Sequence, residues 1–80
     1  MTTRTRPTQA MPDDIREELE TSGRMDDYRA RPHYQRNDYL AWIGRAATPA
    51  TRRKRLDQML HELEIGGVYM GMEHRPSAKQ

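Results

Sequence analysis

Three histidines are the residues of this chain most suited to metal or acid–base chemistry, and none has a second ligand at metal-binding spacing. His61 and Glu62 are adjacent on a predicted helix, as in the His-Glu-x-x-His motif of zinc proteases. The position that should hold the second histidine is Ile65, so the ligand pair is incomplete. His33 and His74 lie far from His61 in the sequence. We therefore predict no metal site and solvent-exposed histidines.

Other catalytic patterns are also incomplete. The glycines at 66, 67 and 71 are not followed by the Lys-Ser/Thr pair of a phosphate-binding loop. Ser22 and Ser77 have no neighbouring base, and the absence of cysteine removes disulfides, thiolate zinc sites and cysteine nucleophiles together. A chain of 80 residues also has little room for a deep pocket. We predict a protein that is not an enzyme and needs no cofactor.

Composition restricts the location and the size of the core. Hydrophobic residues make up 34% of the chain and charged residues 32%, so the core must be small. No apolar run approaches the length of a membrane span, and residues 1–12 lack the apolar stretch of a signal peptide. Small domains in oxidising compartments usually carry disulfides, so the lack of cysteine favours the cytoplasm. We predict a cytoplasmic, bacterial-type protein with no membrane insertion.

Helix-end signals divide the first half of the chain. Residues 1–10 have no apolar periodicity and are predicted to be a disordered arm. Pro12 begins a first helix at the position where its missing N–H costs nothing, and Gly23 ends it in a left-handed cap. A short helical turn over 25–31 must end before the proline at 32.

The second half contains the predicted core. The spacing of apolar residues over 39–47 predicts a helix capped by Asn37 or Asp38, and this helix, which carries Trp42, should be the centre of the core. Thr48 then caps a last helix through Leu63, and the glycines at 66 and 67 end it. Together these signals predict an all-α domain of three to four helices over 11–67.

The C-terminal residues 68–80 are predicted to be a short extended segment followed by a polar, loose tail after Glu73. Their alternation places Val68, Met70 and Met72 on one face. The segment either docks on its own helices or forms a dimer or partner contact, for which the candidate residues are Tyr69, Met70 and Met72.

A basic run, Arg52-Arg53-Lys54-Arg55, begins the last helix at the end where positive charge is unfavourable. Arg52 falls within the apolar stripe, which favours a half-buried guanidinium paired with a carboxylate or with helix-end carbonyls. In the alternative interpretation the helix start binds a phosphate or carboxylate. The candidate anion-binding residues are Arg45, Thr48, Thr51, Arg52 and Arg53.

Charge is distributed asymmetrically, with acids concentrated over 13–27 and arginines over 29–55. Either the acidic first helix lies across the basic region and pairs with it, or the basic face stays open for an anionic partner. A third interpretation treats 39–46 and 51–63 as a helix-turn-helix that contacts DNA.

Two stretches of the chain carry a family signature. The first is the proline-led helix start at 11–15, followed by Leu19. The second is an apolar helix that runs into a proline, a threonine-arginine pair and a further arginine before an aliphatic residue: Trp42, Ile43, Ala46, Pro49, Thr51, Arg52, Arg55, Leu56 and Gly66. These stretches resemble the YdeI/OmpD-associated family, also labelled bacteriocin-protection. The resemblance implies a compact helical fold with a stress- or envelope-associated role.

Three positions depart from that family's pattern. Ala47 replaces a usual lysine, Thr48 a basic residue and Ala50 an acid. These departures argue against an intact family-wide polar site. Because the catalytic patterns are also incomplete, we predict a non-enzymatic interaction module that binds a protein partner or a second copy of itself. The alternative is weak nucleic-acid or anion binding at the start of the 51–63 helix.

Overall fold

The computed structural model describes the backbone of residues 10–78 and the side chains of residues 10–74. The chain order is α1 (Asp13–Ser22), α2 (Met25–Ala30), α3 (His33–Gly44), α4 (Pro49–Ile65), β1 (Gly66–Tyr69) and β2 (Met72–Ala78). The predicted small helical domain with a short extended C-terminal segment is confirmed. The predicted disordered arm lies outside the described residues, except for Ala10.

Two of the predicted helix ends are confirmed by their local geometry. Gly23 follows α1 with φ 77°, and its N–H donates to carbonyls of the last helical turn. The Thr48 hydroxyl accepts a hydrogen bond of 3.2 Å from the N–H of Thr51, and Pro49 is the first residue of α4. Pro12 is the cap of α1 rather than its first helical residue.

The prediction that Asn37 or Asp38 caps the core helix is wrong, because α3 begins at His33. Pro32 is the cap, and its carbonyl accepts from the N–H groups of the third and fourth residues after it. The first turn of α3 contains no apolar stripe, since Gln35 and Asn37 are buried polar residues. Apolar periodicity therefore could not reveal this turn.

The prediction that this helix forms the centre of the core is confirmed, since Tyr39 and Ile43 of α3 are 0% exposed. Trp42 is half-buried at the edge of the core, where the guanidinium of Arg55 lies 5.3 Å from its ring centroid. The same guanidinium donates a 2.7 Å hydrogen bond to the carbonyl of Trp42. The large ring therefore covers the flank of the core, while the narrower side chains fill it; the other members are Ile15, Leu19, Tyr28, Leu40, Leu56, Met59 and Leu63.

The extended C-terminal segment forms an antiparallel β-hairpin, and the loose tail predicted after Glu73 is wrong as far as Ala78, since β2 continues to that residue. Tyr69 pairs with Met72, so Met70 and Gly71 form a two-residue turn. Their φ values of 51° and 82° have the positive sign that a type I′ turn requires. In the part of the chain that the structure describes, no helix is both long and apolar enough to cross a bilayer.

Candidate functional site

The first candidate site is the start of α4, where Arg52 forms a two-pronged pair with Asp14 of α1. Its Nε donates to one carboxylate oxygen at 3.1 Å and Nη2 donates to the other at 3.0 Å. The third nitrogen, Nη1, lies 3.5 Å from the carbonyl oxygen of Ile43 at the end of α3. The half-buried pairing expected for Arg52 is thus confirmed, with both a carboxylate and a helix-end carbonyl as partners.

Arg53 is neutralised in the same way by two carboxylates. It donates to both oxygens of Glu18 at 3.0 and 3.3 Å. It also pairs with Asp57 one turn later on α4, with an Nε to Oδ1 distance of 2.9 Å. Because Glu18 lies on α1, the interpretation that the acidic first helix lies across the basic helix and pairs with it is confirmed.

These pairs shift the acid–base equilibria of their members. The hydrogen bond from Arg52 lowers the pKa of Asp14 below its ordinary value of 3.8; burial opposes this shift, and the positive charge of Arg52 adds to it. The hydrogen bond from Arg53 lowers the pKa of Asp57 in the same direction. Asp57 and then Glu18 raise the pKa of Arg53 above its ordinary range. Both arginines therefore keep carboxylate partners over the whole neutral range.

The structure gives the other three predicted anion-binding residues different surroundings. The Thr48 hydroxyl is engaged as the helix cap and lies 3.1 Å from the Thr51 hydroxyl. Arg45 is exposed just after α3. A cleft of about 160 Å³ lies beside the arginines, but Asp14 is part of its wall together with Arg52 and Arg53. An incoming anion would have to displace an existing carboxylate, so anion binding here remains a prediction that the charge balance disfavours.

The second site was missed by sequence reasoning and is centred on Glu62, whose side chain is only 3% exposed. Its Oε1 accepts hydrogen bonds from the Tyr39 hydroxyl and, at 2.7 Å, from the N–H of Met70. Its Oε2 accepts from the N–H of Gly71 at 2.8 Å and from Nε2 of Gln58 at 3.0 Å. We call this arrangement of Glu62, Tyr39 and Gln58 the turn notch, because it receives both N–H groups of the hairpin turn.

A buried arginine holds the backbone of Glu62, the central residue of the turn notch. Arg31 is 5% exposed and donates to the backbone carbonyl of Glu62 at 3.0 Å and to Oε1 of Gln35 at 3.2 Å. Burial and the neighbouring carboxylate both favour the protonated phenol, so the pKa of Tyr39 lies well above its ordinary value of 10. The only sequence signal for this site was the position of Glu62 on the inner side of α4, next to Leu63.

A third feature combines two exposed hydrophobic side chains around a central tyrosine. Tyr34 is 53% exposed and Met72 is 61% exposed. The Tyr34 and Tyr69 rings meet edge to face with centroids 6.0 Å apart, and Met72 is the cross-strand partner of Tyr69. Directly paired residues of an antiparallel hairpin share a face. We call Tyr34, Tyr69 and Met72 the tyrosine–methionine patch.

The predicted partner-contact residues are divided between these two sites. Tyr69 and Met72 belong to the patch, although Tyr69 also packs on the core and donates a 2.6 Å hydrogen bond to Asp38. Met70 packs against the core of its own chain, with its N–H bound in the turn notch. Docking on the chain's own helices is therefore observed for Tyr69 and Met70, while Met72 remains available.

The histidines occupy separate parts of the described chain. His33 and His61 are exposed, whereas His74 is half-buried with its ring centroid 6.4 Å from that of Tyr69. Exposure was therefore predicted correctly for two of the three. No group of three or more acidic or histidine side chains among the described residues is arranged to hold a metal ion. His61 instead helps to line an open cleft of about 280 Å³ together with Ser22, Arg24, Asp57, Leu60 and Glu64.

Comparison with known proteins identifies the helical body. Residues 8–66 match the model of a family described as bacteriocin-protection, YdeI or OmpD-associated, and this match ends where β1 begins. Neither the curated proteins nor the solved structures include a significant match to the chain. Since the matched region covers most of the sequence and contains all four helices, the chain belongs to the YdeI/OmpD-associated family.

Proposed function

We propose that this chain is a non-enzymatic interaction module of the bacterial cytoplasm that binds a protein partner through the tyrosine–methionine patch. The observation that carries the proposal is that two exposed hydrophobic side chains, those of Tyr34 and Met72, both neighbour Tyr69. Single exposed hydrophobic residues are common on protein surfaces, but adjacent ones are typical of contact sites. Aromatic and methionine side chains are also enriched at protein interfaces.

The chemistry around the patch favours a protein over a small substrate. The patch offers a thioether and two phenol rings, whose hydroxyls are hydrogen-bonded to Gln35 and Asp38. Exposed aromatic and thioether surface instead suits the side chains of another folded protein. The family description itself includes association with another protein, and this wording supports a binding role.

Site-specific photo-crosslinking in cells tests the proposal. A benzophenone amino acid replaces Tyr34 or Met72, and matched controls carry it at the exposed positions Lys54 and Glu20. We expect one discrete crosslinked product from the patch positions and none from the controls, with the captured chain identified by mass spectrometry. A product containing two copies of this chain would identify self-association as the contact.

A second substitution tests whether the crosslinking depends on the patch. With the crosslinker at Tyr34, Met72→Glu should abolish the product, because a charge in the centre of an apolar contact is costly to desolvate. Met72 is largely exposed, so the substitution should leave the fold intact. Equal crosslinking from patch and control positions, or persistence of the product in Met72→Glu, would contradict the proposal.

Nucleic-acid binding is the alternative function, and the carboxylates on Arg52 and Arg53 argue against it. A fluorescence titration with duplex DNA over a salt series distinguishes the two functions. Phosphate contacts release counterions, so genuine DNA binding would weaken steeply as salt increases. We expect no binding at low salt; tight, salt-sensitive binding would replace the protein-partner proposal.

A further inference from the structure

The hairpin is attached to the helical body through its backbone as well as through its side chains. Both N–H groups of the turn, from Met70 and Gly71, donate to the carboxylate of Glu62 at 2.7 and 2.8 Å. Each oxygen of the carboxylate receives one of them. Hydrogen bonds to a charged acceptor are stronger than neutral ones, and burial of Glu62 strengthens them further.

The turn notch recognises a conformation rather than a particular side chain. Two successive N–H groups point to one carboxylate because the residues at 70 and 71 both have positive φ. Every residue except proline provides such an N–H. The chemical class of ligand that fits the notch is therefore a tight β-turn with two consecutive N–H groups directed outward.

The acceptor side of this contact is built entirely by helices. Tyr39 comes from α3, while Gln58 and Glu62 come from α4, and each of the first two donates to the carboxylate. Arg31, just after α2, fixes the backbone of Glu62 through its carbonyl. These contacts orient the carboxylate independently of the hairpin.

The hairpin, which supplies the two N–H donors, follows the region that matches the family. The family match ends at residue 66, and the hairpin occupies 66–78. A two-stranded hairpin is at best marginally stable alone in water, so its order depends on what it docks against. The body thus provides the site, and the hairpin is a separate element bound to it.

From these contacts we infer that the helical body contains a β-turn binding site centred on Glu62, and that the chain's own hairpin is its ligand in cis. A second copy of the chain offers the same segment and fits the site in trans when the resident hairpin is displaced. The site is distinct from the carboxylate of a solvated helix face, because Glu62 is buried with four donors. It differs from the tyrosine–methionine patch, but Tyr69 and Met72 of that patch lie on the hairpin, so displacement of the hairpin also separates them from Tyr34.

Peptide complementation with the full chain tests this inference. Gly71→Val disfavours the turn through its φ of 82°, while a Cβ at that position meets no atom within 4 Å. The variant therefore weakens its resident turn without a steric clash. A fluorescently labelled peptide of residues 66–78 is then titrated into it and followed by anisotropy, with the peptide carrying Gly71→Val as the matched control.

We expect saturable binding of the native peptide and none of the control peptide. Adding Glu62→Gln to the Gly71→Val chain should weaken binding by about tenfold or more, because the amide offers one acceptor fewer and places N–H groups against N–H groups. Tyr39→Phe in the same background keeps the carboxylate and should change the affinity less. Circular dichroism verifies that each variant retains its helices.

Two outcomes would overturn the inference. One is the absence of peptide binding to a helical Gly71→Val chain in which rapid amide exchange at residues 70 and 71 shows that the resident turn has been released. The other is equal peptide affinity with and without the Glu62 carboxylate. Since no cellular partner takes part, these results are separate from the crosslinking result for the tyrosine–methionine patch.

Discussion

Arg52 and Asp14 are 38 positions apart in the chain and form a two-pronged ion pair that joins α4 to α1. The pair explains how a basic residue is tolerated in the first turn of a helix, where the macrodipole opposes it. Asp14 is itself in the first turn of α1, where the macrodipole favours an acid. Each helix start thus contributes one member of the same pair.

Replacement of Arg52 by alanine should lower the free energy of unfolding by about 1 kcal/mol, because a two-pronged but partly exposed pair is lost. For a domain of this size, we expect a fall of roughly 4–8 °C in the melting midpoint. Lys54→Ala is the matched control, since Lys54 is exposed on the same helix, and should stay within about 0.5 kcal/mol. An unchanged midpoint for Arg52→Ala would show that the pair does not hold the helices together.

Acidification should weaken the fold through Asp14. Its folded-state pKa lies below the ordinary value of 3.8, so the stabilisation is fully present above that value and is lost as the pH falls through the folded pKa. NMR titration of the carboxyl carbon should show the low pKa directly. In Arg52→Ala the Asp14 pKa should rise towards its ordinary value, and an Asp14 titration identical in both proteins would contradict the assignment.

Removal of the Tyr39 hydroxyl should destabilise the protein by about 1–3 kcal/mol, because a buried carboxylate loses a donor. Urea unfolding of Tyr39→Phe measures the loss. Tyr34→Phe is the control, since that ring is more than half exposed and should cost much less. Equal costs for the two substitutions would remove Tyr39 from the support of Glu62.

Alkaline titration provides an independent check on Tyr39. Burial, and then the hydrogen bond to Glu62, raise its pKa above the ordinary value of 10. Its contribution to stability is therefore complete below pH 10 and is lost as the pH rises through the higher folded pKa. Absorbance of the phenolate should show ionisation of Tyr39 only together with unfolding; a normal ionisation in the folded protein would contradict its burial against Glu62.

Two glycines next to helix ends should respond oppositely to alanine. Gly23→Ala should destabilise by about 1 kcal/mol, because its φ of 77° is costly for a residue with a Cβ. Gly44→Ala should be neutral or stabilising by up to about 1 kcal/mol, since Gly44 ends α3 without positive φ. A Cβ meets no atom within 4 Å at either site, so backbone conformation alone separates them. Similar effects from the two substitutions would disprove this explanation.

Some parts of the fold followed directly from local chemistry. The Thr48-Pro49 start of α4 and the Gly23 end of α1 depend on groups that the residue types themselves supply. Arg52 was placed inward by helical spacing alone, although its carboxylate partner could not be chosen among the many acids of α1. The family signature was also visible in the sequence, because it consists of residue types at fixed spacings.

The turn notch had no comparable signal. A glutamate on a helix is usually solvated. The groups that donate to Glu62 include the backbone N–H groups of Met70 and Gly71, which cannot be predicted from the identities of those two residues. Helical periodicity identified α3 as a core helix, but it could not show which side chains of its apolar face lie deepest. Burial of Tyr39 and Ile43 depends on the neighbouring helices.

The sequence by itself determined the helical class, the main helix ends and the inward direction of Arg52, because helical period, caps and glycine conformation act over a few residues. Only the tertiary structure decided that Arg52 pairs with Asp14, that Glu62 is buried and that Tyr69 joins Tyr34 and Met72 at the surface. Those outcomes depend on where distant helices and the hairpin meet. Local residue preferences determine which face of each helix is apolar, but packing determines which distant segment that face contacts.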